Sequence, residues 1–198
     1  MVLILAGVAT GCNRLPESYT ATVAVNTPGE SSLEPTLVRV AFKRSAMRVD
    51  FDGGPLPGYA LAWQSKPEVF VMMPGREIAY RWNVKGVAER YGTPQVGEML
   101  VLPFTASPWM IGARKLGDGE AVDGQPTDLW AKLTDRYLYR IWVHKTWAIP
   151  VRFETLKPEG QLLARYEFRD VKPDPGLSDD LFNVPAGVPA PAIPPGLP

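Results

Sequence analysis

The strongest constraint on the fold is a two-residue alternation of apolar and polar side chains that starts at Tyr19. Residues 38–42 and 47–51 both show it, and only the short segment 44–46 separates the two runs. An alternation of this period is typical of half-buried strands, and so short a connection is typical of a hairpin. The pattern therefore predicts a chain built mainly of antiparallel strands.

Further runs continue this pattern along the chain. Residues 78–82 alternate after a Pro-Gly turn at 74–76, whereas residues 69–73 are apolar on both faces and suit a central strand. Shorter runs between turn residues predict strands at 113–115, 120–122, 128–133, 137–143, 151–156 and 162–171. We expect about ten antiparallel strands in meander order, curved around a core.

Two segments break the strand pattern. Residues 97–111 are apolar but lack the period, and two prolines interrupt them, so we expect a short helix over 94–102 followed by an apolar connection packed against the sheet. The segment 185–198 is rich in proline. Because proline has no N–H to donate, residues 188–198 are predicted to form a disordered tail outside the sheet.

Length and charge narrow the classes of function. A chain of 198 residues favours one domain, which we place at 19–187. It has 21 basic and 21 acidic residues, so its net charge gives no reason to expect a nucleic acid partner. One His and one Cys provide no zinc or iron site by the usual ligand spacings, and we expect neither a metal nor a cofactor.

The single cysteine, Cys12, follows an apolar stretch and three small residues at 9–11. This arrangement resembles a bacterial lipobox, in which a signal peptide (here 1–11) is removed before a lipid-modified cysteine. Residues 12–18 would then be the lipidated Cys and its tether. Because no basic residue precedes the apolar stretch, we expect the true start upstream of Met1. The alternative is a buried cytosolic cysteine. The stretch is too short to span a bilayer, which takes about 20 apolar residues.

Several short motifs follow one another in the C-terminal half. Residues 122–129 read VDGQPTDL, residues 139–143 read YRIWV, and residues 149–153 read IPVRF. YEF and DV at 166–171 then precede LFNVPAG at 181–187. This order and spacing resembles the LolA/LolB-like lipoprotein-carrier superfamily and its uncharacterised lipoprotein relatives.

The resemblance implies an open, strongly curved antiparallel half-barrel, mainly β, with short helices plugging its concave face. In that superfamily the concave face receives acyl chains of lipoproteins, or it remains a packed core in relatives with scaffold or sensor roles. The soluble carrier has a long N-terminal helix, whereas only residues 13–18 precede the first predicted strand here. A membrane-fixed receiver or a non-transport relative therefore fits better. Asn13 after the modified Cys would imply the outer membrane, facing the periplasm.

The candidate cavity residues are apolar side chains on consistent strand faces, with two from the connecting segment. They are Val40, Phe42, Val49, Phe51, Tyr80, Trp82, Phe104, Trp109, Tyr139, Ile141, Val143, Val151, Phe153, Tyr166 and Phe168. A plain packed core is the alternative for each of them. A cavity is favoured because little material remains to cover the sheet, and each apolar side chain left in water forgoes about 1.5–3 kcal/mol.

Enzyme motifs are missing from the sequence. It contains no nucleophile elbow, no phosphate-binding loop and no His-Glu-x-x-His, so we expect no enzyme activity and no catalytic residues. His144 is expected near a turn on the surface. The resulting hypothesis is a lipid-anchored envelope protein that binds acyl chains, a lipoprotein or another hydrophobic ligand. The alternative is an envelope scaffold or sensor that binds a protein partner.

Overall fold

The computed structural model describes residues 16–28, 35–51, 58–63, 68–72, 75, 78–83 and 112–192. These residues form eleven strands and one short 3-10 helix, η1. The strands are β1 (Ser18–Asn26), β2 (Thr36–Lys43), β3 (Ala46–Phe51), β4 (Gly58–Trp63), β5 (Glu68–Met72), β6 (Ala79–Asn83), β7 (Arg114–Val122), β8 (Gln125–Leu133), β9 (Leu138–His144), β10 (Pro150–Leu156) and β11 (Leu162–Pro173), and η1 spans Asp179–Phe182.

All eleven strands belong to one antiparallel sheet in the order β6-β5-β4-β3-β2-β1-β11-β10-β9-β8-β7. Each of the two outermost strands, β6 and β7, pairs with a single strand of the sheet, so the sheet is open. The predicted mainly-β fold with an open antiparallel sheet is confirmed. The predicted meander is present as two separate runs, β1 to β6 and β7 to β11, which the pairing of β1 with β11 joins.

The seam between β1 and β11 brings together residues far apart in sequence. Val23 lies opposite Phe168 and Val25 lies opposite Tyr166. The register shifts between Thr20 and Thr22. Asp170, on the facing strand at this irregularity, has a φ of 51°. The seam joins the two meanders into one sheet, because β1 also pairs with β2 from Ser18 to Val25.

The alternation seen in the sequence sorts the side chains onto two faces. One face, which we call the apolar face, carries most of the main core cluster, with Phe42, Val49, Ile141, Phe153 and Tyr166 among its buried members. The opposite face carries most of the charged side chains of the same strands and some buried apolar ones, such as Leu61 and Trp142.

Two strands depart from the sequence-based prediction. β4 is unforeseen, because Ala60, Leu61 and Ala62 are buried on both faces and leave no alternation to detect. The prediction of separate strands at 113–115 and 120–122 is wrong, since β7 continues through residues 116–119. A Cβ on Gly119 would lie 2.5 Å from the Thr127 hydroxyl and 2.8 Å from Trp142 Cδ1, so this glycine serves a close approach within the sheet.

The described part of the chain contains one helix, η1, and it does not lie on the apolar face. Its Leu181 carbonyl accepts a hydrogen bond from Arg48, a residue of the opposite face. The predicted helix over 94–102 lies outside the described residues, as do Cys12 and residues 13–15. No helix in the described part is long and apolar enough to cross a membrane.

The expectation that the proline-rich segment stays outside the sheet is wrong for residues 188–192. The carbonyls of Pro189 and Pro191 accept hydrogen bonds from the backbone N–H groups of Ala79 and Arg81, at 2.9 and 3.1 Å. Proline lacks a donor but keeps its carbonyl acceptor, so it can still receive bonds from the edge of a sheet. Residues 193–198 lie outside the described residues.

Candidate functional site: the apolar face

The structure places every described candidate residue in or beside the core of the sheet. The deeply buried ones are Val40, Phe42, Val49, Tyr139, Ile141, Val143, Val151, Phe153, Tyr166 and Phe168. Phe51, Tyr80 and Trp82 are only half-buried. Phe104 and Trp109 lie outside the described residues. Cross-strand register puts these side chains on one face, as the alternation predicts.

Aromatic rings form a packed row across the central strands of this face. The Phe153 ring centroid lies 5.5 Å from that of Tyr139 and 6.2 Å from that of Tyr166. Tyr19 and Phe42 pack with centroids 5.1 Å apart. Burial raises the pKa of the Tyr19 phenol, so its hydroxyl stays neutral over the physiological range. The middle of the face is therefore a tightly packed aromatic core.

Burial falls towards the β6 end of the apolar face. Val69 is fully buried, but its cross-strand neighbour Trp82 is half-buried. Val71 and its neighbour Tyr80 are both half-buried, and so is Phe51 at the end of β3. We call Phe51, Val71, Tyr80 and Trp82 the rim. The rim is where a hydrophobic ligand could reach the apolar face without unpacking its centre.

Other residues of this face were not among the candidates. They are Tyr19, Ala21, Val23, Val38, Met47, Ala60, Ala62, Val69 and Ala164. The alternation from Tyr19 onward could have identified those of β1. Val38 and Met47 could have been identified in the same way, because each lies two residues before a candidate on its own strand. Ala60 and Ala62 gave no usable signal, since alanine is small and common on either side of a sheet.

One polar side chain lies within the apolar face. Thr155 is 1% exposed, and its Oγ1 has no hydrogen-bond partner among the described residues. Its cross-strand neighbours are Tyr139 and Ala164. A buried hydroxyl without a partner costs free energy, so this atom is a polar group that the described centre of the face could offer a ligand.

The opposite face carries ion pairs between neighbouring strands. Arg152 Nη2 lies 2.8 Å from Glu167 Oε2, and Arg165 Nη2 lies 2.7 Å from Glu154 Oε1. Arg152 also contacts the carboxylate of Glu120 on β7. No group of three or more potential metal ligands occurs among the described residues. The ion pairs on the opposite face therefore form a structural network that links neighbouring strands.

His144 is buried, at 3% exposure, and not on the surface as expected, although it does adjoin a turn. Its Nδ1 accepts hydrogen bonds from the backbone N–H groups of Thr146 and Trp147, at 3.1 and 3.2 Å. Its ring stacks on that of Trp147 at 4.0 Å, and Nε2 lies 3.3 Å from Gln125 Oε1. Burial lowers the pKa of His144, which matches an acceptor role for Nδ1 in a turn.

Comparisons with known proteins inform the fold. No protein-family model matches the sequence, and a search of curated proteins finds no match. An uncharacterised conserved protein from Thermus thermophilus is similar in structure, with a TM-score of 0.59, 16% identity, and coverage of 90% of this chain and 92% of that one. This likeness shows a shared fold and carries no information on activity.

Two further solved structures are less similar. An outer membrane lipoprotein-sorting protein domain from Vibrio parahaemolyticus has a TM-score of 0.46, 14% identity, and coverage of 84% of this chain and 89% of that one. The Pseudomonas aeruginosa MucA/MucB complex gives a TM-score of 0.43 at 18% identity, with 85% of this chain and 56% of that chain covered. The chain therefore spans just over half of the length of that protein.

Proposed function

We propose that this protein binds an acyl chain or a similar hydrophobic ligand at its apolar face, in lipoprotein or lipid handling at the cell envelope. The observation that carries the proposal is the half-buried rim, where Trp82, Tyr80 and Phe51 continue the aromatic core towards the edge of the sheet. A small-ligand site is usually an apolar surface that is largely preformed. The rim and core supply such a surface, and the role that we propose for it is binding.

The tight packing at the centre of the apolar face restricts where a ligand can bind. Phe153 and Ile141 are fully buried, so entry of a ligand there would require them to separate from their neighbours. The ligand therefore lies along the rim. Lipidation of Cys12 would hold the site close to a membrane, at the periplasmic side of the outer membrane.

A fluorescence titration with a dansyl-labelled fatty acid tests ligand binding. The informative variant is Trp82→Ala, because it removes a half-buried rim side chain from the apolar face. Trp63→Ala is a matched control, since Trp63 is also half-buried but packs against Phe70 on the opposite face, with centroids 5.6 Å apart. Loss of about 1.5–3 kcal/mol of apolar burial would weaken binding by roughly tenfold or more.

The outcomes separate clearly. Saturable binding that Trp82→Ala weakens and Trp63→Ala leaves unchanged supports the proposal, provided that urea denaturation shows both variants folded. No saturable binding by the intact protein, or equal loss in both variants, rejects it. Lipidation is tested independently by mass spectrometry of Cys12 in protein extracted from bacterial membranes.

A second candidate function is that of an envelope scaffold or sensor with a protein partner. The observation that favours it is a pair of exposed leucines on the outermost hairpin, Leu116 on β7 and Leu133 on β8, which are 54% and 69% exposed. Exposed apolar side chains at a sheet edge are common in contact surfaces. Recovery of a stoichiometric partner from envelope extract by the native protein, but not by Leu116→Ser/Leu133→Ser, would support this function.

A further inference from the structure

The C-terminal segment 174–192, which we call the strap, crosses the opposite face of the sheet. At its start, the backbone N–H of Asp174 donates to the Ser18 carbonyl at 2.7 Å, and the N–H of Ser18 donates to Asp174 Oδ1 at 3.1 Å. Lys43 then donates to the Leu177 carbonyl at 2.6 Å and pairs with Asp179 at 2.7 Å. The strap is thus fixed to β1 and β2 before it reaches the other end of the sheet.

The end of the strap lies on the outer edge of β6. Ala79 and Arg81 donate to the carbonyls of Pro189 and Pro191, and Arg81 forms a parallel bridge with Ala192. In a parallel ladder the residue at 191 would also donate its N–H to the Ala79 carbonyl. Proline has no N–H, so residue 191 cannot make that bond. The strap therefore accepts hydrogen bonds from the β6 edge but donates fewer hydrogen bonds to it than a proline-free strand would.

From this incomplete pairing we propose that the β6 edge is a strand-addition site for an extended, proline-free segment of another protein. The strap occupies this site in the structure and shows its geometry. The incoming segment runs parallel to β6, and its carbonyls accept hydrogen bonds from the N–H groups of Ala79 and Arg81. An N–H at the position of Pro191 adds the bond that the strap lacks. Extended segments bind exposed sheet edges in this way, with affinity from main-chain hydrogen bonds.

The proposal is independent of the apolar-face function, because the edge bonds involve only backbone groups of β6 and the strap. A strand-addition site also explains the proline spacing. A strap with prolines covers the β6 edge and so protects it from non-specific strand pairing, but another segment can still displace it. The strap thus acts as a weak competitor for its own docking site.

Peptide binding to the protein with Cys12→Ser tests this proposal. The probes are two fluorescein-labelled peptides: residues 185–198, and the same peptide with Pro191→Ala and Pro189→Ala. We expect the proline-substituted peptide to bind saturably and at least threefold more tightly than the native one, by fluorescence anisotropy. In the protein, Pro191→Ala strengthens the strap and should weaken binding of either peptide by a similar factor.

A covalent lock provides the control. In the Cys12→Ser background, Arg81→Cys with Ala192→Cys places thiols on the bridged pair, and oxidation ties the strap to the edge. Peptide binding should be lost on oxidation and return on reduction. Equal affinity for both peptides, binding that persists in the oxidised protein, or no saturable binding to the reduced protein would overturn the proposal.

Discussion

Glu154 and Arg165 face each other across β10 and β11, and the buried carboxylate depends on the more exposed guanidinium. The Glu154 side chain is 6% exposed, and its Oε1 accepts hydrogen bonds from Nε and Nη2 of Arg165, at 2.8 and 2.7 Å. A buried carboxylate that loses its donors pays the full desolvation penalty. Arg165 therefore stabilises the sheet mainly by neutralising a group that could not otherwise remain buried.

We expect Arg165→Met to lower the free energy of unfolding by about 1–3 kcal/mol, because it leaves the Glu154 carboxylate without that partner. Arg169→Met is the control. Its partner Glu167 keeps Arg152, at 2.8 Å, so the loss should be about 1 kcal/mol or less. Urea denaturation measures both, and adding Glu154→Gln to Arg165→Met should restore part of the stability. Equal effects of the two arginine variants would contradict this account.

The His144 turn should make stability depend on pH. Burial holds the pKa of His144 in the folded protein below its ordinary value near 6.5, so the unfolded chain takes up the proton more readily. The stabilisation by neutral His144 is therefore complete above pH 6.5 and is lost as the pH falls below it. We expect the urea concentration at the unfolding midpoint to decrease as the pH is lowered from 7.5 to 5.5.

His144→Asn is the matched variant for this effect. Asparagine Oδ1 can accept the Thr146 and Trp147 N–H groups in place of Nδ1, but the amide does not titrate. Its urea midpoint should therefore change less over the same pH range than that of the native protein. An identical fall in both proteins would assign the pH dependence to other groups.

Local patterns predicted the strands whose neighbours are close in sequence. The hairpin of β2 and β3 was foreseen, since Val40 and Val49 alternate in phase across a short turn, and Phe153 and Tyr166 were placed on the same face for the same reason. The seam of β1 with β11 was not foreseen, because no local pattern reports a pairing of Val23 with Phe168.

The buried polar residues and the strap were not identified from the sequence for a different reason. Glu154 and Thr155 follow Phe153 in a strand whose alternation correctly marks their faces, but residue type alone suggests exposure for Glu154 and gives no sign that Thr155 lacks a partner. The strap was missed because proline composition predicts weak pairing and says nothing about carbonyls that accept bonds. Burial of polar groups depends on the whole sheet, which a local pattern does not contain.

Gly119→Ala should destabilise the outer hairpin. The new methyl group would meet the Thr127 hydroxyl at 2.5 Å and Trp142 at 2.8 Å, and both side chains are buried and have little room to move. We expect a loss of about 1–3 kcal/mol by urea denaturation, as in other overpacked sites. The neighbouring Glu120→Ala removes a mostly exposed partner of Arg152 and should cost about 1 kcal/mol or less. A neutral Gly119→Ala would show that the hairpin can relax.

Two buried threonines on the sheet offer a matched test of hydroxyl pairing. Thr155 and Thr127 are each 1% exposed, but Thr127 Oγ1 donates to the Glu120 carbonyl at 2.7 Å, whereas Thr155 Oγ1 has no partner within the described chain. Valine has nearly the same shape and removes only the hydroxyl. Thr155→Val should therefore raise the free energy of unfolding by up to about 1 kcal/mol, and Thr127→Val should lower it by about 1–2 kcal/mol. If both variants lose stability equally, the Thr155 hydroxyl must form a hydrogen bond with a group beyond the described residues. It would then not be available as a polar contact for a ligand.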